Sequence, residues 1–190
     1  MRYAGRVPYH HGDLRRALLD TALEAVDEHG PAAVSLRDVA RRAGVSHAAP
    51  THHFRDKTGL LTALATEGWS LLADALREAA GRGFGEVGVS YVLFATSHPG
   101  HFAVMRAPGL ARGDDPDLVA AMQRAGAQLK AGVERFEAGS GREDSATALA
   151  AWSLVHGLAA LLLEGAVAPG PDSDVATLAR AVTAHLRPPP

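Results

Sequence analysis

The chain contains no cysteine, which excludes disulfides, thiol catalysis and thiolate metal sites and suits a reducing cytoplasm. Nowhere do 18 uncharged apolar residues run together, and Met1-Arg2-Tyr3 leads into polar sequence. Neither a membrane span nor a signal peptide is therefore expected. Period-two alternation of the kind a strand requires is missing, as is any internal repeat. No Ser/His/Asp order with a nucleophile elbow is present, no glycine loop that would cradle phosphate, and no paired Glu-x-x-His of a bundle metal site. His98 and His101 straddle Pro99-Gly100, which breaks the helical spacing needed to align them on one ion. The expectation is no enzyme, no cofactor and no metal. One further absence is local: between Ala40 and Arg55 there is no acidic residue.

What is present is a globular composition, 47% hydrophobic and 21% charged over 190 residues, enough for one large or two small domains. The formal net charge of −2 is unevenly spread. Residues 1–58 hold nine Lys/Arg against seven Asp/Glu (+2), and residues 59–190 hold ten against fourteen (−4). Six of the ten histidines also lie in the first part. This asymmetry supports an N-terminal part that faces a polyanion. The N-terminal residues 1–12 carry Arg2 and Arg6 and no acid, the make-up of a short basic arm.

Helical periodicity organises the rest into about nine helices of an all-α protein. Asp13 opens a first helix to His29 with Leu14, Ala17, Leu18, Ala22, Ala25 and Val26 on its apolar face. Ser35 caps a second, answered by Asp38, with Leu36, Val39, Ala40 and Ala43 at i, i+3, i+4, i+7. Gly44 ends it, Val45 tucks beneath, and Ser46 caps a third, short helix with Pro50 near its first turn. An ordinary helical hairpin shares this pattern. The outer face separates the two: His47, Thr51, His52 and His53 crowd into seven residues, flanked by Arg37, Arg41, Arg42, Arg55 and Lys57. That is the surface of a helix-turn-helix meeting phosphates.

The stretch RDVARRAGVSHAAPTHHFRDKTGLL resembles the TetR family of bacterial one-component repressors. His53-Phe54 and Lys57 stand where that family has His-Phe and a Lys opening the next helix, and Gly44-Val45 falls in its turn. Thr51 departs from the usual Tyr; it can donate to a phosphate but reaches less far and lacks the aromatic contact. The resemblance implies that Arg37, His47, Ala48, Ala49 and Thr51 approach bases, with Ser35, His53 and Lys57 on phosphates of double-stranded operator DNA. It implies a homodimer and a ligand cavity in each subunit, hence an N-terminal DNA-binding domain (1–58) and a C-terminal ligand-binding and dimerisation domain (59–190).

In the C-terminal part the expected helices are 58–80, 86–97, 101–108, 116–138, 143–167, and a last one capped by Asp172 or Ser173 and running to His185. His98-Pro99-Gly100 is read as a turn, Asp115 or Asp114 as a cap, and Gly139-Ser140-Gly141 as a break. The eighth helix is apolar nearly all round, with Ala148, Ala151, Ala159 and Ala160 spaced to admit a partner helix. Trp152 to Gly157 (WSLVHG) and SHPGHFAVM resemble a C-terminal subclass of the same family. Phe94, Phe102, Met105, Trp152 and His156 have the make-up of a cavity for an apolar or aromatic effector, and equally of plain core. His156 is read as a core histidine bonded to a carbonyl or to Ser153, or as a pocket group. Beside a ligand-released repressor, the residues leave open a regulator that needs no effector and a small helical-bundle metal protein or enzyme.

Overall fold

Leu18, Leu19, Ala22, Ala25 and Val26 are buried, and their three-to-four-residue spacing makes one stripe of helix α1 (His11–His29). The computed structural model that shows this describes residues 11–138 and 145–185. The basic arm with Arg2 and Arg6, the break at Gly139-Ser140-Gly141 and the terminal prolines 188–190 lie outside the described residues. Helix α1 is already helical at His11, two residues before the cap expected at Asp13. Gly30 at φ 77 ends it and leads into a 3-10 turn, Pro31–Ala33.

Helix α2 (Leu36–Arg42) starts as expected, with the Ser35 hydroxyl accepting from the Asp38 N–H at 3.2 Å. Asp38 does not answer in kind; its carboxylate takes Arg41 and Arg42 instead. Gly44 sits at φ 66. The N–H groups of Gly44 and Val45 return to the carbonyls of Arg41 and Ala40 at 3.2 and 3.0 Å, closing the last turn. Helix α3 (Ala48–Phe54) is capped by His47 and not by Ser46, and no side chain bonds its N-terminus. With His47 at the cap, Pro50 stands at the third helical position and lacks one of the two N–H groups that a capping side chain there would serve.

Helix α4 (Lys57–Ala79) is capped by Asp56, whose carboxylate accepts from the Gly59 N–H at 2.8 Å. A 3-10 turn (Ala80–Arg82) leads to α5 (Phe84–Ser97) and α6 (Pro99–Met105). Pro99 and Gly100 are helical, not a turn: proline at the first helical position fixes φ where its missing N–H costs nothing. Helix α7 (Pro116–Ala138) follows Asp115, which accepts from the N–H groups of Asp117 and Leu118. Helix α8 (Ser145–Leu163) stops four residues short of the expected Val167 because Gly165 adopts φ 69 and closes the end. Helix α9 (Val175–Thr183) is capped by Asp174, which accepts from Thr177 N–H at 2.7 Å, and not by Asp172 or Ser173. Among the described residues every regular element is helical, and no helix is long and apolar enough to cross a membrane.

Two apolar cores meet along α4. Its first half, Leu60, Leu61, Leu64 and Ala65, packs with α1, Val34, Val39 and Phe54. Its second half, Leu72, Ala73, Leu76 and Ala79, packs with α5, Phe102, Val155, Leu158 and Ala179. Leu60, Leu61, Leu64, Leu72 and Leu76 are each at 0% exposure, and each contributes about 1.5–3 kcal/mol relative to an exposed leucine. One rigid helix thus belongs to both the N-terminal head and the C-terminal body. On α8, Ala151 and Ala159 face their own core, so they cannot admit a partner helix. The other side of α8 leaves Leu149, Trp152 and Leu163 exposed.

Candidate nucleic-acid interface

Pro50 and Phe54 anchor α3 by its inner face, so the opposite face is turned outward. His47, Ala48, Thr51, His52 and Arg55 are exposed there, while Ala49 and His53 are half-buried. The rings of His52 and His53 meet edge-on at 5.3 Å. His47, Ala48, Ala49, Thr51 and His53 therefore share one short helix. His52 is exposed next to Thr51, and Arg55 is exposed just past the end of α3. Arg37 is exposed one helix earlier and has no carboxylate partner among the described residues.

The other basic residues of α2 are already engaged. Arg41 binds Asp38, and Arg42 binds both Asp38 (2.6 Å) and Glu28 (2.7 Å). Those hydrogen bonds, from Arg41 first and Arg42 second, hold the Asp38 carboxyl below its ordinary range. Ser35 uses its oxygen as the α2 cap, which leaves its O–H proton to donate outward. Lys57 gives one N–H to the Ala32 carbonyl at 2.5 Å, keeping its ammonium beside the start of α4, with donors to spare.

The segment joining α3 to α4 is held in an unusual conformation. Arg55 has φ 72 and ψ −54, and the Asp56 N–H returns to the Phe54 carbonyl at 2.8 Å, a γ-turn of the strained hand. Gly59 explains the tightness: a Cβ there would lie 2.0 Å from the Phe54 carbonyl oxygen. From the body, Arg112 clamps this joint, donating to the Asp56 carboxylate at 2.7 Å and, through its backbone N–H, to the Thr62 hydroxyl at 2.9 Å. A polar cleft of about 440 Å³, lined by Arg15, His53, Thr62, Glu67, Arg112 and Asp117, opens between head and body. Beside it Glu67 accepts from Arg16 on α1 and lies 3.0 Å from Nε2 of the buried His101 on α6.

The five residues expected to line an effector cavity separate into groups. Phe102, Trp152 and His156 converge; the His156 ring is 5.8 Å from Phe102 and 5.4 Å from Trp152. Phe94 is buried and stacks on His98 at 5.0 Å. Met105 packs where a Cβ on Gly68 would sit. His156 bonds neither a carbonyl nor Ser153: its Nδ1 lies 2.8 Å from the Tyr91 hydroxyl. Tyr91 and Arg106, whose guanidinium lies 5.1 Å from the Phe102 ring centroid, are the members that sequence reasoning missed. Among the described residues no three His, Asp or Glu side chains stand close enough together to hold a metal ion.

Residues 84–186 match the model of the tetracyclin repressor-like C-terminal domain, and residues 18–64 match that of bacterial regulatory proteins of the tetR family. The HTH-type transcriptional regulator BetI of Escherichia coli is 47% identical over 62 residues, covering 33% of this chain and 32% of that protein. The chain thus spans about a third of the length of this curated relative. A solved protein of unknown function from Rhodococcus sp. RHA1 is 33% identical, with a TM-score of 0.75 over 95% of this chain and 97% of its own. The TetR family transcriptional regulator PfmR from Thermus thermophilus, at 20% identity and TM-score 0.67 over 89% of this chain and 96% of its own, shares the fold.

Proposed function

The chain belongs to the TetR family of bacterial regulatory proteins, and we propose that it is a cytoplasmic transcriptional repressor that binds a palindromic operator as a homodimer and is released by a small ligand. The observation that carries this reading is the outer face of α3. It is exposed, free of acids and edged by Arg37 and Arg55, cations with no carboxylate partner among the described residues. Phosphates would be met by Ser35, His53 and Lys57, and base edges by Arg37, His47, Ala48, Ala49 and Thr51. Arg37 suits a guanine edge, and the methyl of Ala48 or Ala49 a thymine methyl. Two such heads fit successive major grooves about 34–36 Å apart.

Leu149 and Leu163 on α8, exposed in the single chain, belong to the pairing face of the homodimer, since exposed apolar residues of this kind are seldom left to water when they line one helix. Phe102, Trp152 and His156, with Phe94 and Met105 behind them, form the ligand-binding part of the body. Ligand would act by changing the spacing of the two heads through α4, which is packed into both cores.

The direct test is footprinting on DNA upstream of the protein's own coding sequence, with a scrambled duplex as control. Two protected half-sites one helical turn apart on the upstream DNA alone are expected. Equal protection of both duplexes would contradict operator recognition.

A further inference from the structure

Three helices bring four side chains together around His156. Tyr91 comes from α5, Phe102 and its neighbour Arg106 from α6 and its C-cap, and Trp152 and His156 from α8. The Tyr91 hydroxyl and His156 Nδ1 are 2.8 Å apart, and the Tyr91 and Phe102 rings meet edge-on at 6.0 Å. The cluster runs from the buried Phe102 out to Trp152, which is 48% exposed, and to the exposed Arg106.

The charge balance is one-sided. Arg106 lies 5.1 Å over the Phe102 ring and has no carboxylate partner among the described residues. Neither α6 nor α8 contains an acid, and the single acid of α5, Glu86, is bound to Arg180 at 2.8 Å. The polar groups beside Arg106, Tyr91 and His156, are shifted toward their neutral forms. Burial pushes the Tyr91 phenol up, which keeps it protonated. Burial first, and Arg106 second, push the His156 imidazolium down. A protonated Tyr91 that donates to Nδ1 places the imidazole proton on Nε2, where it can be offered to a ligand.

Resting on the proposal that this body binds a releasing ligand, we infer that the cluster is the effector site and that its ligand is a planar aromatic carboxylate. The carboxylate meets Arg106 and the His156 Nε2–H, and the ring lies against Trp152. A guanidinium offers a carboxylate two parallel N–H donors. A cationic ligand would meet Arg106 with no acid to receive it, and an uncharged isostere would forgo the charge-assisted bonds.

Calorimetric titration of the full chain with benzoate, 1-naphthoate and indole-3-acetate tests this, with 1-naphthamide and 1-naphthylmethylamine as neutral and cationic counterparts. At least one carboxylate is expected to bind, about tenfold or more tighter than 1-naphthamide, with the amine silent. Arg106→Gln, at an exposed position off the pairing stripe, should erase that preference while leaving the fold intact by circular dichroism. Failure of all three carboxylates, equal binding of the amide, or a preference that survives Arg106→Gln would overturn the assignment. So would an Arg106→Gln chain that becomes monomeric in light scattering yet keeps its carboxylate affinity, which would give Arg106 to the partner subunit. Gel-shift on the upstream DNA separates this from the underlying reading. Arg106-dependent binding without DNA release sustains the site and overturns ligand control. Release by uncharged aromatics regardless of Arg106 sustains ligand control and overturns the carboxylate.

Discussion

Arg37, Arg41 and Arg42 lie within six residues on one helix, yet only Arg37 keeps its charge unpartnered among the described residues. Asp38 takes Arg41 and shares Arg42 with Glu28. The run of basic residues was legible in the sequence; the pairing was not, because it depends on how α1 and α2 cross. Arg55 was legible as a charge but not as a strained backbone. At φ 72 it occupies a region that costs a non-glycine residue about 1–3 kcal/mol. Arg55→Gly therefore separates backbone from side chain. Stability in urea should hold or rise by up to about 1 kcal/mol, while affinity for any duplex falls because the guanidinium is gone. A rise in stability with unchanged DNA affinity would remove Arg55 from the interface.

At the scale of elements, the helices follow from the apolar spacing, and some of their ends follow from glycine. Gly44 and Gly165 close α2 and α8 at positive φ. Two of the misread starts have a proline inside the first turn. Pro99 opens α6 in place of making a turn, and Pro50 lacks the N–H that a capping side chain on His47 would serve. What no spacing could reveal is how closely α4 approaches the end of α3. Gly59 has room for a hydrogen only, since a Cβ would meet the Phe54 carbonyl at 2.0 Å. Gly59→Ala should cost about 1–3 kcal/mol of stability in denaturant. It should weaken DNA binding further than that loss of folded protein explains, because the recognition helix must shift. Wild-type stability and affinity would show that the joint yields freely.

For the whole molecule, the resemblance implied a division at residue 58, whereas the packing runs on through α4 into both cores. Polar ties across that division depend on tertiary placement, so the sequence could not announce them: Arg112 to Asp56, and Arg16 to Glu67, which also meets His101 within the body. Burial raises the Glu67 carboxyl, but the hydrogen bonds from Arg16 and then His101 outweigh it, and the net shift is below the ordinary 4.5. A carboxyl lowered by folding stabilises the fold above its unfolded pKa and loses that contribution as pH falls through the folded value. Glu67→Gln should thus cost about 1 kcal/mol near neutral pH, the difference between charged and neutral hydrogen bonding. It should also flatten the acid limb of stability below about pH 4.5. Thermal melts of both proteins from roughly pH 7 to 3 check this; parallel curves would mean that Glu67 is not the coupled group.

If the head reads phosphates and bases as proposed, its free cations, and not its paired ones, touch DNA. The most direct measurement is the salt dependence of operator affinity, from roughly 50 to 200 mM, for the native chain, Arg37→Ala and Arg41→Ala. The account predicts that Arg37→Ala weakens binding and lowers the log–log salt slope by roughly one, while Arg41→Ala changes the slope little. Equal slopes for all three proteins, or a larger loss from Arg41→Ala, would contradict it.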